Sequence, residues 1–395
     1  MSPPGAAADD HRIHEADGSA LSPGRAAAAI GVGINSLLVL GVLPDLLGAL
    51  VDEHRLSADG IGLAAGLEVL VMGVSTALVG ALLKPRRLRL IGSLASVFLA
   101  VIDLLTTQAR GETVFLFRAG AGAAEGILLW ITVSMIVRTG TPERWAGVFF
   151  TAQTLAQLVL ALALALAIMP RWGADGGFVA LAFASVLGLV PAFLGPAKFA
   201  PLPLAPGQGG APPARGWAAL VATLVYVAAG GAVGVYLQPL AHQAGLSADV
   251  ARTALWTSLA AQVAGGGVAT LLAGRVRYFS MFVVVSAVYL SVWAVLGLKS
   301  PAWVFIGANV LAGFAGLFLA PFVVPFTIEA DPSRRAAMQT GAAQLLGGAL
   351  GPLLAALVVS DRDVHGALWL GGGLLLAGLA GVAALRFTRS AVVVG

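Results

Sequence analysis

Cysteine is absent from this chain and charge is scarce, with only 11% of the 395 residues being Asp, Glu, Lys or Arg. The first absence excludes disulfides, thiol chemistry, S-palmitoylation and cysteine metal sites. The second excludes an ordinary soluble domain, in which about a quarter of residues are charged. No Gly-Lys-Ser phosphate loop, nucleophile–base–acid set or metal-ligand motif is present, so nucleotide hydrolysis and enzymatic catalysis lack support and no cofactor is expected. Strand-like alternation over about ten residues does not recur, which argues against a membrane barrel. What remains is apolar. Hydrophobic residues make up 58% of the chain, and mean hydropathy is +0.92.

The apolar residues fall into runs near 26–49, 61–83, 90–108, 113–137, 145–169, 177–196, 216–240, 250–274, 279–298, 302–326, 336–359 and 364–386. At about 1.5 Å per residue, most of these runs suffice for a hydrocarbon core of about 30 Å. In lipid only helices and closed barrels satisfy the backbone, so the fold class is an all-α integral membrane protein with twelve transmembrane helices. The 51 glycines read as packing residues, because small side chains let membrane helices approach closely.

The net charge of +4 would suggest nucleic acid in a soluble protein. Here the basic residues mark one side of a membrane, and no nucleic-acid partner is expected. With the N-terminus inside, sixteen Lys and Arg fall on the cytoplasmic side, among them Arg25, Lys84, Arg86, Arg138, Arg215, Arg275 and Arg334. Six fall outside: Arg55, Arg110, Arg171, Arg252, Lys299 and Arg362. That bias predicts both termini in the cytoplasm. Trp145, Trp172, Trp217 and Trp303 lie at span ends, where interfacial tryptophans belong.

Residues 1–24 are polar, without the pattern of a signal peptide, and read as a disordered cytoplasmic tail. Residues 196–215 lie in a stretch with six prolines among glycines and read as a cytoplasmic linker. They divide a first set of six spans, 25–195, from a second, 216–388, with 389–395 as a C-terminal tail. The two sets echo one another. Leu56-Ser57-Ala58-Asp59 recurs as Leu246-Ser247-Ala248-Asp249 at an offset of 190, the basic turn around Arg86 recurs around Arg275 at 189, and Arg118-x-x-x-Gly122 recurs as Asn309-x-x-x-Gly313 at 191. Such a parallel six-plus-six repeat is the mark of a transporter architecture with two pseudo-symmetric six-helix bundles.

From about residue 25 to 390 the chain resembles major facilitator superfamily transporters. Phe117-Arg118-Ala119-Gly120-Ala121-Gly122 is similar to that family's fourth-span motif, and the basic turn Gly80-Ala81-Leu82-Leu83-Lys84-Pro85-Arg86-Arg87-Leu88-Arg89 to its second cytoplasmic turn. Lys84 stands where the family has aspartate. Glu329 to Arg335 and Gly347 to Pro352 also resemble the tenth-to-eleventh span region of such carriers. The fifth span lacks the Gly-Pro motif of drug–proton antiporters. The resemblance implies alternating access by rocking of two halves around a midplane site, first and fourth spans lining the cavity, and a monomer in a plasma membrane of the bacterial inner type.

Five ionisable residues lie within the spans: Asp45, Glu68, Asp103, Arg118 and Glu125, all in the first half. Such groups are expensive in lipid and are functional candidates by default. Four acids cannot all be ionised and paired with one base, so at least one carboxyl is protonated or wet, desolvation favouring the neutral form. A carboxyl that alternates between wet and occluded surroundings binds and releases a proton in each cycle. Asp45, Glu68 and Glu125 are the expected proton-coupling residues. Arg118 and Glu125 are two helical turns apart and share a face. Arg118 is expected either to pair with Asp45 or Glu68 or to capture an anionic solute through its fork of donors. Asp103, near Thr106, Thr107 and Arg110, reads as a locally satisfied surface acid.

The second half offers no charge within a span. Its neutral set, Tyr226, Tyr236, Gln238, Trp256, Gln262, Asn309, Gln339 and Gln344, suits an amphipathic solute. Taken singly, each is equally a helix-joining or interfacial residue. Asn309 stands out because the repeat sets it opposite Arg118. His54, His242 and His365 in outer loops, and His11 and His14 in the tail, read as solvated. The expectation is a proton-coupled secondary transporter of a small organic solute, an organic acid being one candidate, with solute, protons and the bilayer as partners. The alternatives are a proton-driven exporter of lipophilic compounds and a non-transporting protein that keeps this fold as a sensor. Permanent enclosure of Asp45, Glu125 and Arg118 in one network would favour the last.

Overall fold

A computed structural model describes residues 21–57, 60–200, 202, 211–360 and 363–388. The expectations placed on residues 1–20 with His11 and His14, on Ala58 and Asp59, on the linker at 201 and 203–210, on Arg362 and on 389–395 fall outside the described residues. Among the described residues every named element is a helix, and strand pairing is limited to two isolated bridges.

Among the described residues ten segments are long and apolar enough to cross a bilayer, so the chain is an integral multi-pass membrane protein. One of them, Pro142–Leu194, runs for 53 residues and contains the fifth and sixth spans. They part at Gly173, whose φ of 57° and ψ of −150° lie outside the helical region and suit glycine. The eleventh span, Thr340–Ala355, is 16 residues long and follows the short helix Arg335–Met338. Counting the long segment as two and adding the eleventh gives the expected twelve.

Proline and capping residues set several ends. Ser22 accepts a hydrogen bond from the Arg25 amide ahead of the first helix, Pro23–Leu37, with Pro23 in its first turn. That span breaks through a 3₁₀ turn, Leu38–Gly41, and resumes as Leu43–Asp52, where Pro44 cannot donate to the preceding turn. The second span is Gly60–Leu82, the third Leu88–Thr106 and the fourth Glu112–Ile136. The seventh is Ala214–Gly234, continued by Leu237–Gln243, and the eighth Ala248–Leu272. The ninth is Tyr278–Leu296, the tenth Ala302–Leu319 and the twelfth Gly366–Phe387. Trp172, Trp217 and Trp303 are all exposed, as side chains at a lipid–water boundary should be.

The chain separates into two compact units, residues 1–203 and 204–395. In the first, residues 195–200 are tied to the basic turn after the second span. Leu88 donates to the Ala197 carbonyl (2.9 Å), Phe199 to that of Pro85 (3.0 Å), and Arg89 Nε to that of Gly195 (2.8 Å). Arg138 Nε donates to the Ala200 carbonyl (2.9 Å) while its guanidinium sits over the Phe199 ring, and burial pulls Arg138 down to about 10. Backbone pairing thus holds this turn, in which Lys84 is exposed. On the opposite side Arg55 joins three loops, reaching Glu53 (3.1 Å), Asp175 (2.6 Å) and the carbonyls of Thr106, Thr107 and Ala109.

Candidate functional site

The register of the repeat is visible in how each unit packs its second span against its fourth. In the first unit a Cβ on Gly122 would lie 2.2 Å from the Glu68 carbonyl oxygen. In the second, a Cβ on Gly313 would lie 2.4 Å from that of Ser258. Two turns further along the second span, Ser75 donates to the Ala123 carbonyl at 2.8 Å, and its counterpart Gly265 faces the Phe314 carbonyl, with room for no side chain. These matched approaches equate Glu68 with Ser258 and Arg118 with Asn309.

The two equivalent places are filled differently. In the first unit Arg118 is fully enclosed, its Nη1 3.2 Å from Glu68 Oε1 and its Nη2 2.9 Å from both Asp103 Oδ1 and Thr106 Oγ1. Phe178 from the sixth span lies under its guanidinium, 5.1 Å from Cζ to the ring centroid. Glu68, Asp103 and Glu125 are also buried. One positive charge therefore faces three carboxyl groups. Oε2 of Glu68, Oε2 of Glu125 and Nε of Arg118 have no hydrogen-bond partner among the described residues.

This arrangement changes three expectations. Asp103, read as a surface acid, is 2% exposed and is a direct partner of Arg118, because the third span turns that face into the bundle. Asp45, ranked with Glu125 for proton coupling, is exposed and is not among the partners of Arg118, its helix burying Leu43, Leu46, Leu47 and Leu50 instead. Arg118, a candidate for capturing solute, spends both terminal nitrogens on protein oxygens.

In the second unit the equivalent place is hollow. A cavity of about 320 Å³ is walled by the seventh, eighth, ninth and tenth spans, with Ser258, Gln262, Tyr289, Trp293 and Asn309 in its lining. A second cavity, of about 260 Å³, adjoins it through Gly230, Tyr289 and Gly316, and adds Tyr226 and Gln344. The Tyr289 and Trp293 rings stack, with centroids 5.3 Å apart and planes at 29°. The Asn309 amide donates to the Phe305 carbonyl (2.8 Å), and the Tyr226 hydroxyl bonds that of Ser286 (2.9 Å).

Of the expected solute residues, Tyr226, Gln262 and Asn309 line these cavities together with Gln344. Tyr236, Gln238, Trp256 and Gln339 do not. The sequence reading missed Ser258, Tyr289 and Trp293. The repeat held the signal: an offset of 190 sets Ser258 at the place of Glu68 and Trp293 at that of Asp103. Among the described residues, no group of three His, Cys, Asp or Glu is placed to hold a metal ion.

No protein-family profile matches the sequence, and no curated protein matches it. Solved structures do. The human organic anion transporter MFSD10 (TETRAN) is similar at a TM-score of 0.71 and 15% identity, over 92% of this chain and 100% of that one. The major facilitator superfamily transporter FucP in its outward conformation is similar at 0.67 and 12%, over 91% and 98%. A variant of the E. coli fucose:proton symporter FucP is similar at 0.67 and 13%, with the same coverage. The chain therefore has the fold of major facilitator superfamily transporters.

Proposed function

We propose that the chain is a proton-coupled secondary transporter of a small organic solute, working by alternating access, and not an enzyme. The observation that carries this reading is the burial of three carboxyl groups, Glu68, Asp103 and Glu125, with the guanidinium of Arg118 inside an apolar bundle. One guanidinium against three carboxyl groups leaves two negative charges in surplus, and each proton bound removes one of them. A buried group in that condition responds to any change in its access to water by gaining or losing a proton. Glu68 and Glu125 are the proposed proton site, with Asp103 and Arg118 positioning them. Asp45, exposed and apart from them, carries less of the reading than its place in the sequence suggested. Similarity of fold to an organic anion transporter and a fucose:proton symporter supports solute transport in general. Residence in the bacterial inner membrane, cytoplasmic termini and a monomeric state belong to this proposal.

The test is proton movement in proteoliposomes on addition of a panel of solutes, comparing wild type with Glu125→Gln and Asp45→Asn. Solute-dependent proton flux in wild type and Asp45→Asn, lost in Glu125→Gln, supports the proposal. Solute uptake without proton flux, unaltered in both variants, refutes the coupling. One observation favours the non-transporting alternative: Arg118 and Glu125 are wholly enclosed. That reading requires no solute movement by wild type at all.

A further inference from the structure

We infer that the paired cavities of the second unit form a binding site for an uncharged solute that bears a flat ring and a hydroxylated, hydrogen-bonding edge. This deepens the transport reading and rests on it only for the role of the bound solute.

Three observations converge. The first is the repeat itself. The place that Glu68, Arg118 and Asp103 fill with charge in the first unit is held by Ser258, Asn309 and Trp293 in the second, and there it is open. The second is chemical. Neither cavity lining includes an acidic, basic or histidine side chain among the described residues. An anion entering would shed its water with no cation to meet it, and the guanidinium of Arg118 is committed to Glu68 and Asp103. The third is shape. Stacked Tyr289 and Trp293 supply an apolar wall for a ring, while the Ser258 hydroxyl and the amides of Gln262 and Asn309 supply donors and acceptors. Asn309 uses its amide nitrogen on Phe305, which leaves its oxygen to accept from a hydroxyl. A volume of about 320 Å³, extended by the neighbour of about 260 Å³, lies in the range of about 300–1,000 Å³ usual for organic ligands.

Gly230 makes the inference testable without disturbing the fold. It lines both cavities, and a Cβ added there meets nothing within 4 Å. Gly230→Leu therefore fills the space from within a helix that leucine favours over glycine. Gly267→Leu, at another open helical position that lines neither cavity, is the control. Binding of radiolabelled phenyl β-D-glucoside, benzoate and n-octanol is measured on purified full-length protein in detergent, with no gradient. The expected result is saturable binding of the glucoside by wild type and Gly267→Leu, weakened on the order of tenfold or more in Gly230→Leu and in Asn309→Leu. Benzoate should neither bind nor compete. Benzoate binding that Gly230→Leu abolishes would overturn the uncharged class. Octanol binding equal to that of the glucoside and indifferent to Asn309→Leu would overturn the hydrogen-bonding edge. Glucoside binding unchanged in Gly230→Leu would overturn the location. Because none of these readouts involves proton flux, failure of coupling in proteoliposomes leaves the site standing, and failure of binding leaves the proton proposal standing.

Discussion

Arg118→Leu isolates the energetics of the buried cluster. The substitution removes the cation that faces Glu68 and Asp103 at 3.2 and 2.9 Å, together with the bond to Thr106 and the packing on Phe178. Deleting one partner of a buried ion pair costs about 3–5 kcal/mol, mainly because the other is left charged and unsolvated. In a unit of this size each kcal/mol shifts the unfolding midpoint by about 2–4 °C, so a loss of roughly 6–20 °C is expected. Thermal unfolding in detergent, followed by tryptophan fluorescence, measures it. Two further arms test the cause. Neutralising the former partners as well, in Arg118→Leu/Glu68→Gln/Asp103→Asn, should recover most of the loss, because no unpaired charge then remains on the former partners. The deficit of Arg118→Leu should also shrink as pH falls, since protonated carboxyl groups no longer need a cation. A midpoint within about 2 °C of wild type would refute the account, and so would a deficit that the triple variant leaves unchanged.

Other outcomes follow from single contacts. Gly122→Val and Gly313→Val place a Cβ 2.2 and 2.4 Å from the carbonyl oxygens of Glu68 and Ser258. Each should lower the unfolding midpoint by at least the roughly 1–3 kcal/mol of ordinary overpacking, and equal effects in the two units would support the shared register. Because the chain lacks cysteine, Arg86→Cys and His54→Cys can be labelled individually in intact cells; a membrane-impermeant maleimide should reach only His54→Cys if the termini are cytoplasmic. Hydrogen bonds from the His365 amide (2.9 Å) and ring hold the Asp363 carboxyl below the usual carboxylate range. Its contribution is present above the unfolded-state value and lost as pH falls through the lowered one. Amide hydrogen exchange should show the protection factor of His365 falling over that acid range and staying low at all pH values in Asp363→Asn.

The helices were legible because lipid leaves the backbone almost no other choice, so composition and run length carried nearly all of the twelve-span assignment. Of the partners of Arg118, Glu68 was among those the sequence offered and Asp103 was not. Expensive residues announce themselves in a span, but which neighbour they meet depends on how each helix is rotated and where it breaks. Asp45 seemed a natural partner from its span, yet its helix buries Leu43, Leu46, Leu47 and Leu50 and leaves Asp45 exposed. Asp103 read as a locally satisfied surface acid because its threonine neighbours suggested a local solution. One of those, Thr106, proves to be a ligand of Arg118. Cavities leave a fainter trace still, since Tyr289 and Trp293 look like any apolar face of a membrane helix until the repeat aligns Trp293 with an aspartate.

That alignment suggests a division of labour between the repeats. Two units that pack second span against fourth through the same glycine and the same carbonyl have inherited one geometry, and a close backbone approach leaves side chains beside it little freedom to redesign the scaffold. What they can change is what fills the space. Charge in the first unit draws the third span inward through Asp103 and closes the bundle around Arg118. Replacing that set by serine, asparagine and tryptophan removes the Coulombic reason for closure, and a cavity remains beside the same close backbone approach. A direct consequence can be tested. Asn309→Arg with Ser258→Glu and Trp293→Asp should rebuild the ionic cluster in the second unit, close its larger cavity and abolish glucoside binding while the protein stays folded. If those three changes left binding intact, the two sites would not be alternative fillings of one inherited geometry.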